Sequence, residues 1–286
     1  MVTPLQRITT LRSVVNQYQF FLFDQYGVLH NGTHAYPGML LQLQYLKREG
    51  RTVGVISNSG KRADVNAERL SRFGFDRHLI DRVWTSGELA WQTIYANIQC
   101  GSTGKNLKVF YLGNDQDRSA LSGLLVHEVT KPEHADLILI AGVGQTKQLR
   151  HDYQALFQTA ANRGVPAYCT NPDLVSFFDN GRIGKGPGAI AQLYQSLGGM
   201  CTFFGKPHVE IYKQIFRDSG FQPSETLCVG DSLEHDIKGA ASANCDSVLV
   251  SSGIYEQLSN EEFQAKLDAA ERLPSYIFGD RKVMQD

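Results

Sequence analysis

Four short groups of polar residues in this 286-residue chain contain the side chains that catalytic sites commonly use. Two groups carry carboxylates, one carries hydroxyl and amide side chains followed by a lysine, and one carries a lysine alone. Each group directly follows a short apolar run, and reactive side chains of parallel sheets lie at such strand ends. We therefore expect the four groups to converge at one sheet edge. They are Asp24-Gln25-Tyr26-Gly27-Val28-Leu29, Ser57-Asn58-Ser59-Gly60-Lys61, Gly205-Lys206-Pro207 and Gly230-Asp231-Ser232-Leu233-Glu234-His235-Asp236.

Converging carboxylates restrict the chemistry that these residues can perform. Such carboxylates repel one another, and one of them would normally take up a proton. A hard cation removes that conflict, and Mg²⁺ suits a few carboxylates completed by phosphate and water. Asp24 would then be free to act as a covalent nucleophile that forms an aspartyl-phosphate. Ser57 precedes a predicted helix start, where free N–H groups favour phosphate, and Lys206 adds positive charge for the phosphoryl oxygens.

Short apolar runs alternate with helical patterns along most of the chain, which is typical of parallel strands joined by crossover helices. A stretch rich in Gly, Ser, Thr and Asn at 99–106 is interpreted as a linker. The glycine-rich stretch 184–188 lacks the ending of a phosphate-binding P-loop and is interpreted as a flexible return. Strands are predicted at 20–23, 53–56, 83–84, 107–112, 137–141, 165–169, 202–204, 226–229 and 247–250, and helices at 39–48, 63–73, 88–94, 148–161, 187–197 and 209–219.

Composition excludes several classes of protein. The chain is 42% hydrophobic and 20% charged, which indicates a globular enzyme or binding protein of about two domains. A formal net charge of -1 provides no global attraction for nucleic acid or an anionic membrane. No apolar run approaches the roughly 20 residues that span a bilayer. The first 20 residues lack the apolar core of a signal peptide, so we expect a cytoplasmic protein.

The four groups resemble the motifs of the haloacid dehalogenase (HAD) superfamily. They occur in the family's order and cover nearly the whole chain. The stretch between the Ser57 and Lys206 groups is similar to the large cap of the class IIA (NagD-like) phosphatases. It is preceded by Trp84-Thr85-Ser86-Gly87 and contains Thr170-Asn171-Pro172-Asp173. The resemblance implies an α/β fold, with a HAD-like Rossmannoid parallel-sheet core at 1–88 and 201–286 and an inserted α/β (C2-type) cap at 89–200.

The resemblance also implies roles for individual residues. In that family the carboxylates that match Asp24 and Asp231 hold Mg²⁺ together with a backbone carbonyl that matches Tyr26. Asp236 resembles the supporting carboxylate of this metal site. Ser57, Asn58 and Lys206 would bind the substrate phosphate, while His30, Asn171 and Asp173 are candidate contacts to the rest of the substrate. The implied partners are a small phosphorylated metabolite and a second copy of the chain, because caps of this type often pair.

Tyr26 is the main departure from the family pattern. Most phosphatases of the superfamily have an aspartate there, which protonates the leaving oxygen. General acid catalysis contributes about 10²–10⁴-fold, so alkyl phosphate esters are expected to be poor substrates. Tyr26 itself could donate, although a phenol with a pKa of ~10 is a mediocre acid. Alternatively, His30 or His34 replaces the aspartate, the substrate has a good leaving group, or the protein binds a phosphorylated ligand with little turnover.

Two other functions remain alternatives to a magnesium-dependent phosphohydrolase. One is a phosphometabolite-binding or regulatory protein with vestigial activity. The other is a haloacid dehalogenase, because Asp-x-Tyr-Gly also resembles those enzymes, which displace halide without a metal. Asp231 and Asp236 argue against dehalogenation, since they add anionic groups suited to Mg²⁺ rather than to a departing halide. The resemblance of the cap to the NagD type argues against it as well.

Overall fold

The computed structural model describes residues 5–102, 106–113, 117–143, 153–177 and 183–278. Strands and helices alternate within these residues, as the sequence predicts. The strands are β1 (Gln6–Ile8), β2 (Phe20–Phe23), β3 (Thr52–Ser57), β4 (Arg82–Thr85), β5 (Leu107–Leu112), β6 (Val126–Glu128), β7 (Leu137–Ile140), β8 (Ala167–Cys169), β9 (Val175–Phe177), β10 (Ile183–Lys185), β11 (Cys201–Phe203), β12 (Thr226–Gly230), β13 (Asp246–Leu249) and β14 (Tyr276–Phe278).

The α-helices of the described residues are short. The longest, α3, has 14 residues. None is both long and apolar enough to cross a membrane. The helices are α1 (Pro37–Arg48), α2 (Ala63–Arg72), α3 (Ser86–Gln99), α4 (Tyr153–Asn162), α5 (Pro187–Ser196), α6 (Val209–Ser219), α7 (Lys238–Ser242) and α8 (Asn260–Asp268).

Contacts between Cα atoms divide the chain into two compact units. The first comprises the described parts of 1–57, 66–84 and 206–286, and the second those of 58–65 and 85–205. The sequence predicts boundaries after residues 88 and 200. The later division differs because β11 pairs with β8, which places 201–203 in the sheet of the second unit.

The first unit contains a seven-stranded sheet in the order β1-β14-β13-β12-β2-β3-β4. Strand β12 lies at its centre, and β2 lies beside it and runs parallel to both of its own neighbours, β12 and β3. Every residue of β2 and β12 is buried, as expected for central strands of a parallel sheet that is covered on both faces. Because the three strands run in one direction, their carboxyl ends meet at one edge. Asp24, Ser57 and Asp231 lie at or directly after these ends.

The second unit contains a separate five-stranded sheet in the order β11-β8-β7-β5-β6, with parallel pairing throughout. Its core includes Ile138, Ile140, Phe157 and Tyr194, which are fully shielded from solvent. Strands β9 and β10 form an antiparallel hairpin. The predicted helix at 148–161 corresponds to α4, although its first residues, like part of the predicted linker at 99–106, lie outside the described residues.

The glycine-rich stretch 184–188 is closely packed, so its prediction as a flexible return is wrong. Gly184 and Lys185 belong to β10, and α5 begins at Pro187. The backbone N–H of Gly188 donates to the carbonyl of Asp173 at 3.0 Å. A Cβ atom on Gly186 would lie 2.1 Å from the same carbonyl oxygen. The glycines therefore allow close approach to the Asn171–Asp173 turn.

Candidate active site

The first unit brings three carboxylates and a lysine together at the edge where β2 and β12 end. One carboxylate oxygen from each of Asp24, Asp231 and Asp236 lies within 4.8 Å of the others. Lys206 Nζ donates to Asp24 Oδ1 at 2.5 Å and to Asp236 Oδ1 at 2.6 Å. All four residues are buried. The two carboxylate groups and the lysine group predicted from the sequence therefore form one cluster, although they lie far apart in the chain.

Burial and mutual repulsion determine the protonation of this cluster. Burial raises the pKa of Asp24 to about 7, and the charge of Lys206 offsets part of the rise. Burial, followed by the charges of Asp24 and Asp236, raises the pKa of Asp231 well above its ordinary value. Burial alone would lower the pKa of Lys206, but the charges of Asp236 and Asp24 outweigh this effect and raise it. Lys206 is therefore charged. Its single positive charge cannot balance three ionised carboxylates.

The donor set fits a hard divalent cation. Three carboxylates converge, whereas Lys206 compensates only one negative charge. Oxygen ligands are those that Mg²⁺ prefers, and a cation here would offset the burial and the repulsion that raise the pKa values of Asp24 and Asp231. Asp24 and Asp231 could hold such an ion directly, together with the backbone carbonyl of Tyr26.

Asp236 is held from two sides and so differs from the other two carboxylates. Its Oδ1 accepts from Lys206, and its Oδ2 accepts from the backbone N–H of Ser232 at 3.1 Å. It lies in a π-helical turn, Leu233–Ile237, rather than in the first turn of an α-helix. With both oxygens occupied, Asp236 is suited to orienting Lys206, in keeping with the supporting role that the resemblance implies.

Tyr26 and His30 lie in the loop after β2, but only Tyr26 is accessible. The Tyr26 residue is 44% exposed, whereas His30 is fully buried and stacks on Phe73 with ring centroids 4.5 Å apart. The backbone N–H of Gly32 donates to His30 Nδ1 at 2.9 Å, so the neutral ring carries its proton on Nε2, and the acceptor for that proton is the side-chain amide oxygen of Gln25. Burial lowers the pKa of His30 to about 4. His30 is thus a neutral part of the loop interior, and neither a proton donor nor an accessible substrate contact.

His34, the other histidine of this loop, is exposed. Its Nε2 lies 2.9 Å from Nδ2 of Asn31, and its Nδ1 lies 3.0 Å from the Thr33 hydroxyl. These contacts belong to a local turn. They do not connect His34 to the carboxylate cluster.

The predicted phosphate-binding and substrate-contact residues fall in different units. Ser57 is buried at the end of β3 in the first unit, and α2 begins only at Ala63. Asn58 belongs to the second unit, where its side-chain amide donates to Asp173 Oδ1 at 2.8 Å. Asn171 Oδ1 accepts from the backbone N–H of Asp173 at 3.0 Å and thereby stabilises the turn. The roles of these residues toward a substrate stay predictions.

Ser252, Gly253 and Ile254 also border the carboxylate cluster, although they are absent from the predicted groups. The backbone N–H of Ile254 donates to Asp231 Oδ2 at 3.0 Å, and Ser252 Oγ donates to the carbonyl of Gly27 at 2.6 Å. A signal was present, because these residues follow the predicted strand at 247–250 as the four chosen groups follow theirs. They lack a carboxylate or lysine, so a search for charged groups passes over them.

Together, the parallel sheet and its buried acidic edge define an α/β protein with an acidic candidate active site. The chain belongs to the haloacid dehalogenase-like hydrolases. A model of that description matches residues 21–125, and a second, HAD-hydrolase-like model matches residues 203–280. The predicted family and fold class are thereby confirmed.

Relatives extend this similarity over almost the whole chain. Chronophin from Mus musculus is 29% identical over 277 residues, which cover 94% of this chain and 93% of chronophin. An acid sugar phosphatase from Staphylococcus aureus (strain USA300) is 27% identical and is covered to 96%, against 93% of this chain. The crystal structure of a haloacid dehalogenase-like hydrolase from Brucella suis 1330 is 26% identical, with a TM-score of 0.76 over 87% of this chain and 90% of that one. The predicted assignment to the phosphatases of this family is confirmed.

Proposed function

We propose that this protein is a Mg²⁺-dependent phosphohydrolase that acts on a small phosphorylated metabolite through an aspartyl-phosphate on Asp24. The observation that carries the proposal is the buried cluster in which Lys206 bridges Asp24 and Asp236 beside Asp231. The name of the Staphylococcus aureus relative, acid sugar phosphatase, supports a small phosphorylated metabolite as the substrate class. Asn58, Asn171 and Asp173 stay candidates for binding the substrate.

The chemistry divides into two displacements at phosphorus. The Asp24 carboxylate attacks phosphorus, the bond to the leaving oxygen breaks, and an aspartyl-phosphate forms. Water then attacks the same phosphorus, which releases phosphate and restores Asp24. Lys206 and Ser57 stabilise the phosphoryl oxygens during both steps. Bound Mg²⁺ would supply the positive charge that lets the phosphoryl group approach the carboxylates.

The substrate should have a leaving group that departs without a strong acid. Tyr26 offers only a phenol, and the buried, neutral His30 is not available to donate a proton. Acyl phosphates, phosphoanhydrides and aryl phosphates give anions that are stable without immediate protonation. We therefore propose this substrate type in preference to simple alkyl esters.

Hydrolysis of p-nitrophenyl phosphate and acetyl phosphate with Mg²⁺ tests the proposal. We expect turnover by the wild type, its loss in Asp24→Asn, and its retention in Asp64→Asn, which changes an exposed aspartate in the same way. If the wild type and Asp24→Asn are equally inert on both compounds, the protein is not a phosphohydrolase of this kind.

The second candidate, a phosphometabolite-binding or regulatory protein, is favoured only by Tyr26 in place of the usual acid. It predicts saturable binding of phosphorylated metabolites by calorimetry without turnover of either test compound. Dehalogenation, the third candidate, predicts chloride release from 2-chloropropionate that survives EDTA.

The remaining predictions concern the setting of the enzyme. We propose that it acts in the cytoplasm, forms a homodimer, and has its catalytic core at 1–88 and 201–286 with a cap at 89–200, where both boundaries are approximate because Cys201–Phe203 pairs in the sheet of the second unit. Size-exclusion chromatography with light scattering tests the dimer, and a fluorescent fusion tests the location.

A further inference from the structure

The turn after β13, formed by Ser252, Gly253 and Ile254, encloses one oxygen of Asp231. The backbone N–H of Ile254 donates to Asp231 Oδ2. A Cβ atom on Gly253 would lie 2.0 Å from this oxygen, and a Cβ atom on Gly27 would lie 2.1 Å from it. Backbone atoms therefore crowd Oδ2 from several directions. Oδ1 is the oxygen left for a cation.

The same turn touches the loop that carries the nucleophile. Gly253 and Gly27 have φ angles of +69° and +86°, in the left-handed region that favours glycine. A Cβ atom on Gly253 would lie 2.6 Å from the Cα atom of Gly27. Two backbones are therefore in direct contact, and a side chain at position 253 would push Asp231 or the nucleophile loop out of place.

Hydrogen bonds at both polar atoms of Gly27 fix the neighbouring peptide groups. Its N–H donates to the carbonyl of His30 at 2.9 Å, and its carbonyl accepts from Ser252 Oγ. In a trans peptide the N–H of Gly27 and the carbonyl of Tyr26 point in opposite directions. The hydrogen bond to His30 therefore fixes the Tyr26 carbonyl, the proposed backbone ligand, and Ser252 holds the next peptide group, on the other side of the Gly27 Cα atom. Ser252 is buried, so its hydrogen bond is shielded from competition by water.

The Tyr36 hydroxyl gives a second, independent indication that a ligand belongs beside this turn. The residue is 6% exposed, and its hydroxyl has no hydrogen-bond partner among the described residues. The backbone N–H of Gly253 faces the hydroxyl oxygen, so the hydroxyl proton is the part that lacks an acceptor among the described residues. A buried, unpartnered hydroxyl is costly unless something satisfies it. A water molecule of a hydrated cation would do so.

We infer that the 252–254 turn is a backbone-built part of the metal site, and that Ser252 is a positioning residue that sets metal affinity. The turn leaves Asp231 one oxygen for the ion, while Ser252 holds the peptide group after Gly27 and thereby restrains the adjoining Tyr26 carbonyl. The inference rests on the proposed function, because it takes Asp24, Asp231 and the Tyr26 carbonyl as the ligands of Mg²⁺.

Calorimetric titration of the substrate-free protein with Mg²⁺ tests this inference without reference to activity. We expect Ser252→Ala to bind Mg²⁺ about tenfold more weakly, the lower end of the 10–100-fold range for groups that orient metal ligands. Ser252→Thr keeps the hydroxyl and should bind as the wild type does. Ser251→Ala removes a neighbouring buried hydroxyl that makes no hydrogen bond to Gly27 or Asp231, and it should leave affinity unchanged.

Two results would overturn the inference: wild-type affinity in Ser252→Ala, or an equal loss in Ser251→Ala. Thermal unfolding in EDTA separates positioning from general damage, because the three variants should melt within a few degrees of the wild type there. A wild type that binds no Mg²⁺ would instead contradict the proposed metal dependence.

Discussion

At position 26, the backbone can bind a metal ion and the side chain can act as a general acid. Tyr26 keeps the first role but lacks the carboxylic acid that the second one uses. Its backbone carbonyl can bind a cation whatever side chain the residue carries, because Gly27 fixes the peptide group. Its side chain decides whether a carboxylic acid is available to the leaving oxygen. The half-exposed phenol has room for substitution without disturbing the core.

Replacing Tyr26 by aspartate should speed hydrolysis of alkyl phosphates. A positioned carboxylic acid contributes up to about 10²–10⁴-fold, and we expect at least about tenfold in kcat/KM on glycerol phosphate. Hydrolysis of p-nitrophenyl phosphate should change little, because its leaving group needs no acid. Release of inorganic phosphate measures the hydrolysis of both substrates. Tyr26→Asn is the matched control, and an equal gain in that variant would show that the proton is not responsible.

Replacing Asp231 by asparagine should stabilise the metal-free protein. Burial and the charges of Asp24 and Asp236 disfavour the ionised carboxylate, so removing that charge relieves an unfavourable interaction. Asparagine can still accept from the N–H of Ile254. We expect the free energy of unfolding in EDTA at pH 8 to rise by about 1 kcal/mol, measured with urea. Asp64→Asn should stay within about 0.5 kcal/mol of the wild type, as exposed substitutions do. A less stable Asp231→Asn would contradict the repulsion.

The loop after β2 contains the buried His30 and should make the stability of the folded protein sensitive to acid. His30 has a pKa of about 4 in the folded protein, below its ordinary 6.5. The unfolded chain binds more protons between these values, so the stability that the neutral ring confers is present above pH 6.5 and is lost as the pH falls toward 4.

The His30→Gln variant tests this sensitivity. Between pH 7 and 5 the wild type should lose about 2 kcal/mol more of its free energy of unfolding than His30→Gln, measured by urea denaturation in EDTA. His34→Gln removes an exposed histidine of the same loop and should follow the wild type. Parallel pH curves for all three proteins would refute a buried neutral His30.

Elements with strong apolar patterns were predictable from the sequence, whereas edge elements were not. The predicted strand 20–23 matches β2, because its residues form a contiguous apolar run. The predicted helix 209–219 matches α6, because its apolar residues recur with helical periodicity. Strands β1 and β14 have three residues each, and their pairing depends on the partner strand rather than on local sequence. The pairing of β11 with β8 in the second unit was not predicted for the same reason, because it too depends on the partner strand. In the site, Asp24, Lys206, Asp231 and Asp236 were predictable because their side chains are charged. The 252–254 turn contributes through its backbone, which no residue type in the sequence indicates.

At the scale of the whole molecule, Mg²⁺ should stabilise the first unit. A ligand that binds only the folded state adds about 2.7 kcal/mol at a concentration of 100 Kd. The chain has two tryptophans, Trp84 in the first unit and Trp91 in the second, so each unit has its own fluorescent probe. Trp91→Phe leaves only Trp84, whose unfolding transition should move to higher temperature with Mg²⁺. The same variant carrying Asp231→Asn should show no shift, and a shift there would place the ion elsewhere.

In the proposed mechanism, the excess of carboxylates over lysine in the cluster also sets the order of events in a catalytic cycle. A phosphate ester arrives as an anion at a pocket that is itself negative until a cation has bound, so productive encounters begin with the ion. The ester follows, and released phosphate departs before the ion. Kinetically this is an ordered mechanism, in which inorganic phosphate should inhibit competitively toward the ester and uncompetitively toward magnesium.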